Sequence, residues 1–215
     1  MYFNIRQDRY DEFENEDTYN ITWKLSDKVK ISYGKGYSLP TFNQLYWPGF
    51  SNPGLKAEYS ETYSLNYSNK EFSMYVFSNE YTDLMQYDST LFKTVNVAEA
   101  EIKGIEMKYE INREMDLFFK HQDPDNKTDN TRLNYKQLNK AGINYTEKNC
   151  NINISHIGKR YNNGKEFSPA TIVNLRLDFD NSFISVLNLF DKEYVINDDY
   201  EKACREFTFG FEFSI

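Results

Sequence analysis

Five of the last nine residues are apolar and fall at every second position. Phe207, Phe209, Phe211, Phe213 and Ile215 alternate with Thr208, Gly210, Glu212 and Ser214. The same period of two runs through Tyr19–Leu25 and Tyr59–Tyr67, where Tyr63, Leu65 and Tyr67 oppose Ser64 and Asn66. It recurs in Ile105–Ile111 and in Val173–Phe179. Strict alternation turns one face of an extended strand toward something apolar and the other toward something wet. No helical period stands out against it.

Alternation and turn signals together predict about twelve strands, over residues 1–10, 17–26, 28–38, 58–69, 71–85, 92–112, 115–122, 132–146, 149–161, 168–180, 182–190 and 203–215. Tight polar turns at 26–28, 69–70, 112–114, 147–149 and 180–182 alternate with longer polar connections at 11–16, 39–57, 86–91, 123–131, 162–167 and 191–202. Greek-key crossovers break such an order in a soluble sandwich. A transmembrane β-barrel keeps it, with short periplasmic turns, longer outer loops and ~10-residue alternating strands. The expected fold is therefore an all-β antiparallel transmembrane barrel whose apolar face meets lipid. A soluble all-β domain is the other reading. It requires a further layer to cover twelve one-sided strands, and no spare element is evident.

Composition agrees. The 215 residues include 18 Tyr and 17 Phe, yet 27% are charged and mean hydropathy is -0.76. No run approaches the ~18 apolar residues of a spanning helix. A net charge of -8 argues against nucleic acid as a partner, since phosphate binding needs a basic surface. Two cysteines are too few for a disulfide framework. The opening MYFNIRQDRY has no basic n-region or apolar h-region, so no signal peptide is expected there.

Four segments resemble TonB-dependent outer-membrane receptors. VLNLFDKEY, Val186–Tyr194, is similar to their penultimate-strand motif, and REFTFGFEFSI, Arg205–Ile215, to their closing strand. Ser32–Tyr67 resembles the strand, loop and return strand that read APTFNELY and GNPNLKPE in that family. Asn96–Ile111 resembles its N-x-x-x-A-x-x-x-G-x-E return strand. The order of motifs is the family's own. The spacing from Leu45-Tyr46-Trp47 to Asn52-Pro53 is most like that of the cobalamin receptors. Departures occur at Ala57 and Tyr59 around Glu58, at Ala203-Cys204 before Arg205, and at Ile215, where the family ends in Phe.

The resemblance implies a Gram-negative outer membrane, a large scarce ligand such as cobalamin, and no enzymatic activity. A siderophore or haem is the alternative ligand. It also implies that residues 1–215 correspond to the C-terminal part of a barrel of about 22 strands. A signal peptide and the plug through which TonB acts would lie outside this chain. Two strand edges would then need partners, because unpaired backbone in lipid costs several kcal/mol per group. The sheet is expected to be open and curved, or loosely closed; closure alone would make a passive twelve-strand pore, and a truncated, non-functional product is a further reading. Thr208, Gly210, Phe213 and Ile215 fit the chain-end pattern expected to be recognised by the barrel-assembly machinery.

Two outer connections hold candidate sites. Loop 39–57 carries Pro40, Phe42, Tyr46, Trp47, Pro48, Phe50 and Pro53. Tyr46, Trp47 and Phe50 are the expected contacts to a small-molecule ligand with a flat or aromatic surface; the plainer reading is a loop ordered by its own rings. In DPDNKTDNT, residues 123–131, Asp123, Asp125 and Asp129 supply hard oxygens suited to calcium, or form a solvated acidic loop. No other cofactor is expected. His121 and His156 lack partners at metal-ligand spacing.

Overall fold

Strand pairing follows chain order almost throughout. The computed structural model describes residues 1–10, 14–162, 164–195 and 204–211. Its strands are β1 (Tyr2–Asp8), β2 (Glu16–Lys24), β3 (Val29–Ser38), β4 (Glu58–Ser68), β5 (Phe72–Asp88), β6 (Lys93–Glu110), β7 (Met115–Asn126), β8 (Thr131–Arg132), β9 (Asn139–Glu147), β10 (Cys150–Ile157), β11 (Arg160–Asn162), β12 (Lys165–Phe167), β13 (Ala170–Phe179), β14 (Ser182–Leu187) and β15 (Glu206–Phe211). One short helix, α1 (Phe42–Tyr46), sits between β3 and β4. A 13-stranded sheet runs β1-β2-β3-β4-β5-β6-β7-β9-β10-β13-β14-β15, with β8 paired to β7 off that path. Strands β11 and β12 form a separate ribbon. Each of the twelve predicted strands overlaps one strand of this path.

Two compact units emerge. The first comprises residues 1–69, 74–105 and 122–134, the second residues 70–73, 106–121 and 135–215. In the first unit, Trp23 opposes Ile31, which opposes Leu65, and Ile21 opposes Tyr33, which opposes Tyr63. Trp23, Ile31 and Tyr63 stay substantially exposed, so among the described residues this apolar face is left largely open. On the opposite face Thr22 meets Ser32, their hydroxyls 2.9 Å apart.

The second unit repeats the division. Leu117, Ile143, Ile154 and Val173 stand in one cross-strand row, and Leu177, Ile184 and Phe209 in another. The other face carries a ladder of amides. Asn144 donates to Asp116 at 2.9 Å, Asn153 to Asn144 at 2.7 Å, and Asn174 to Asn153 at 3.3 Å. The Asn188 N–H then donates to Asn174 Oδ1 at 2.9 Å. Asn188 itself, 3% exposed, clamps the VLNLFDKEY turn. Its Oδ1 accepts from the Lys192 N–H at 2.8 Å, and its Nδ2 donates to the Lys192 carbonyl at 3.0 Å.

Several expectations are corrected. Connection 86–91 is shorter than predicted, because β5 and β6 run on for 17 and 18 residues and leave only 89–92 between them. Residues 132–138 are not the start of a continuous strand. Leu133, 1% exposed, joins Phe77, Val97, Ala100 and Ile102 in a small core against β5 and β6, and the Asn134 N–H donates to Gln86 Oε1 at 3.1 Å. Burying Leu133 there outweighs continuing the strand. Residues 160–162 and 165–167, read partly as connection, form the β11–β12 hairpin. At the chain end, Thr208 and Gly210 lie on β15, whereas Phe213 and Ile215 lie outside the described residues.

Candidate ligand-binding site

Loop 39–57 is ordered by a few anchors. Thr41 caps α1 through a capping box: the Gln44 N–H donates to Thr41 Oγ1 at 3.3 Å, and the Thr41 N–H donates to Gln44 Oε1 at 2.8 Å. This helix was not legible as an apolar period, since it is a single turn. Gly49 takes φ +87°, a left-handed conformation that favours glycine. Leu45 and Leu55, 8% and 6% exposed, turn into the protein.

Two asparagines fasten the loop to β5 and β6. Asn52 donates from its backbone to the Gln44 carbonyl at 2.7 Å and from Nδ2 to the Thr94 carbonyl at 2.9 Å. Asn96 Oδ1 accepts from the Lys56 N–H at 2.9 Å; its Nδ2 donates to the carbonyls of Asp83 at 2.6 Å and Lys56 at 3.2 Å. Just after the loop, Glu58 Oε2 accepts from the Met85 N–H at 2.8 Å. Asn96 and Glu58 both lie in the motifs quoted above, and these bonds give them a physical role that spacing alone did not reveal.

Hydrogen bonds thus fasten the loop while its rings stay largely exposed. Tyr46, Trp47 and Phe50 are 55%, 54% and 50% exposed. Phe42 was not singled out from the sequence. At 76% exposure it stands one helical turn from Tyr46, ring centroids 5.1 Å apart. Four rings on a fastened scaffold offer apolar stacking area at little cost in conformational freedom.

The acidic run 123–131 is placed differently from expectation. Residues 123–126 belong to β7 and Thr131 to β8, so most of the run is a hairpin rather than a loop, with Asp125 opposite Arg132. Arg132 Nη1 lies 2.6 Å from Asp125 and 3.2 Å from Asp123, and Lys127 lies 3.5 Å from Asp125. Asp129 sits in the turn between. Asp123 and Asp125 carry their own counter-charges, and among the described residues no group of three or more acidic, His or Cys side chains is arranged to hold a metal ion. His121 and His156 each contact a cross-strand neighbour, Asn139 at 2.6 Å and Thr171 at 3.0 Å.

The family model described as TonB dependent receptor-like, beta-barrel matches residues 3–200. The chain belongs to that family. As a member of the TonB-dependent receptor barrels it resides in the outer membrane of a Gram-negative bacterium, where the exposed apolar rows meet lipid. It is 29% identical, over 94% of its length, to a vitamin B12 transporter BtuB of Photobacterium profundum, and 26% identical over 88% to one of Vibrio vulnificus. It covers 38% and 35% of those proteins, little more than a third of their length. The siderophore receptor PirA from Acinetobacter baumannii has the same fold, with a TM-score of 0.65 at 16% identity over 94% of this chain and 41% of PirA.

Proposed function

We propose that the chain forms part of the wall and outer loops of a transport receptor that captures a large, scarce small molecule, cobalamin in the first instance. The observation that carries the reading is the fastened loop 39–57 with Phe42, Tyr46, Trp47 and Phe50 exposed. The transporters it matches in sequence are named for vitamin B12. The role is binding and passage, not catalysis. TonB would act through a part of the parent protein beyond this chain, and the assembly machinery through the strand containing Thr208 and Gly210.

The test is equilibrium dialysis of the folded chain in detergent against cyanocobalamin, read by the corrin's own absorbance. A ferric catecholate siderophore serves as the second probe. Saturable corrin binding is expected. Trp47→Ala or Tyr46→Ala should weaken it about 5- to 30-fold, the equivalent of about 1–2 kcal/mol per ring. Binding of the siderophore alone would replace cobalamin by that class. Binding of either probe that ignores all four rings would overturn the loop's role.

A further inference from the structure

On the lipid face of the second unit the cross-strand rows change character toward the long connections. Leu117, Ile143, Ile154 and Val173 are apolar throughout. The next row reads Phe119, Ala141, His156 and Thr171, and beyond it His121 stands opposite Asn139. Residues of one parity share a face of the sheet. The apolar face therefore ends at His156 and Thr171, two side chains that are themselves exposed. That is the level at which hydrocarbon gives way to headgroups.

A groove of about 560 Å³ opens on this face, from Tyr109 on β6 past Phe119 and Ile154 to His156 and Thr171. Its low point is Ala141, a single methyl standing between Phe119 and His156 in the ladder. The groove is continuous with the rows that meet lipid, so its occupant is a lipid. An acyl chain gains little there from the apolar walls alone, because neighbouring lipid tails are equally apolar. The polar end is what can tell one lipid from another.

At that end His156 Nδ1 and Thr171 Oγ1 lie 3.0 Å apart. A neutral imidazole and a hydroxyl have two polar hydrogens between them, and their mutual bond uses one. If Thr171 donates, the Nε2–H of His156 is left over; if His156 donates, the Thr171 hydroxyl hydrogen is. Either tautomer presents one donor outward. A donor left unmatched at the edge of hydrocarbon is costly, and an ionised acceptor gives it the strongest hydrogen bond.

We propose that this groove seats one phosphorylated membrane lipid, with an acyl chain over Ala141 and a phosphate oxygen accepting from the His156–Thr171 pair. The seat rests on the lipid face and not on the aromatic loop, so it and the cobalamin reading can fail separately.

The test is thermal unfolding of the folded 215-residue chain in dodecyl maltoside micelles, with dodecyl phosphate titrated at constant total detergent. Dodecanol and inorganic phosphate supply the chain and the head separately. A saturable rise in the unfolding midpoint is expected with dodecyl phosphate alone. Ala141→Leu fills the groove, and the double variant His156→Ala/Thr171→Val removes both possible donors. Each should raise the concentration for half-saturation by about 10-fold or more. Ile184→Ala, on the same face but outside the groove, should leave it unchanged. An equal response to inorganic phosphate would mean a soluble-anion site, and an equal response to dodecanol a chain contact without a head; either overturns the seat. So does a parent without a saturable response, or an unaltered response in Ala141→Leu or in the double variant.

Discussion

Phe183 lies flat against Gly210 across the β14–β15 ladder. A Cβ built on Gly210 would fall 2.5 Å from Phe183 Cε1. On the same ring, the Arg176 guanidinium carbon sits 3.9 Å from the centroid and is itself held by Asp178 at 2.7 Å. The glycine of the chain-end pattern thus has a packing role in the folded sheet. Gly210→Val should destabilise the chain by about 1–3 kcal/mol through overpacking, seen as a lower urea midpoint. Adding Phe183→Ala should recover part of that loss, since the two sites share one contact. Strictly additive losses would exclude the contact.

Asn96 should behave as the fastener of loop 39–57. Asn96→Ala removes three hydrogen bonds to Lys56 and Asp83. Hydrogen exchange at the amides of Leu45, Asn52 and Lys56 should speed up by an amount equivalent to about 1–3 kcal/mol, with β9–β13 unchanged. Uniform acceleration across both units would show a global rather than a local effect.

Asn153 is the hub of the amide ladder, bonded to Asn144, Asn174 and Ser155. Asn153→Ala should cost about 1–3 kcal/mol, because the neighbouring amides lose their partner in a half-buried row. The check is the urea midpoint in detergent. Asn20→Ala provides the control, since Asn20 is exposed.

Neighbouring positions on β4 separate the two faces. Leu65 opposes Ile31 in the apolar row, while Ser64 opposes Ser32 on the polar side. In lipid vesicles Leu65→Lys should cost about 2–4 kcal/mol and Ser64→Lys much less. Equal costs, measured by urea unfolding, would contradict the assignment of the lipid face.

Much of this was legible in the sequence because alternation is local. Leu65 and Ser64 announce their faces by parity, and the twelve strands follow from repeating that argument. The ends of the strands were less legible. In Asp123–Asn126 and Thr131 a hairpin is held by backbone pairing and by Arg132, and its polar sequence reads equally well as loop. The helix at Phe42–Tyr46 depends on Thr41 and Gln44 rather than on any apolar stripe.

The sequence by itself determined the strands, their two faces, the family motifs and the presence of an aromatic outer loop, since each rests on residues close together in the chain. Tertiary structure alone decided that Asn96 pins Lys56 from 40 residues away, that Leu133 folds into a core with Phe77, and that Arg160 is buried opposite Phe167. Those outcomes depend on which distant groups the folded sheet brings within hydrogen-bonding or van der Waals range. Neither the period of the chain nor its composition encodes that proximity.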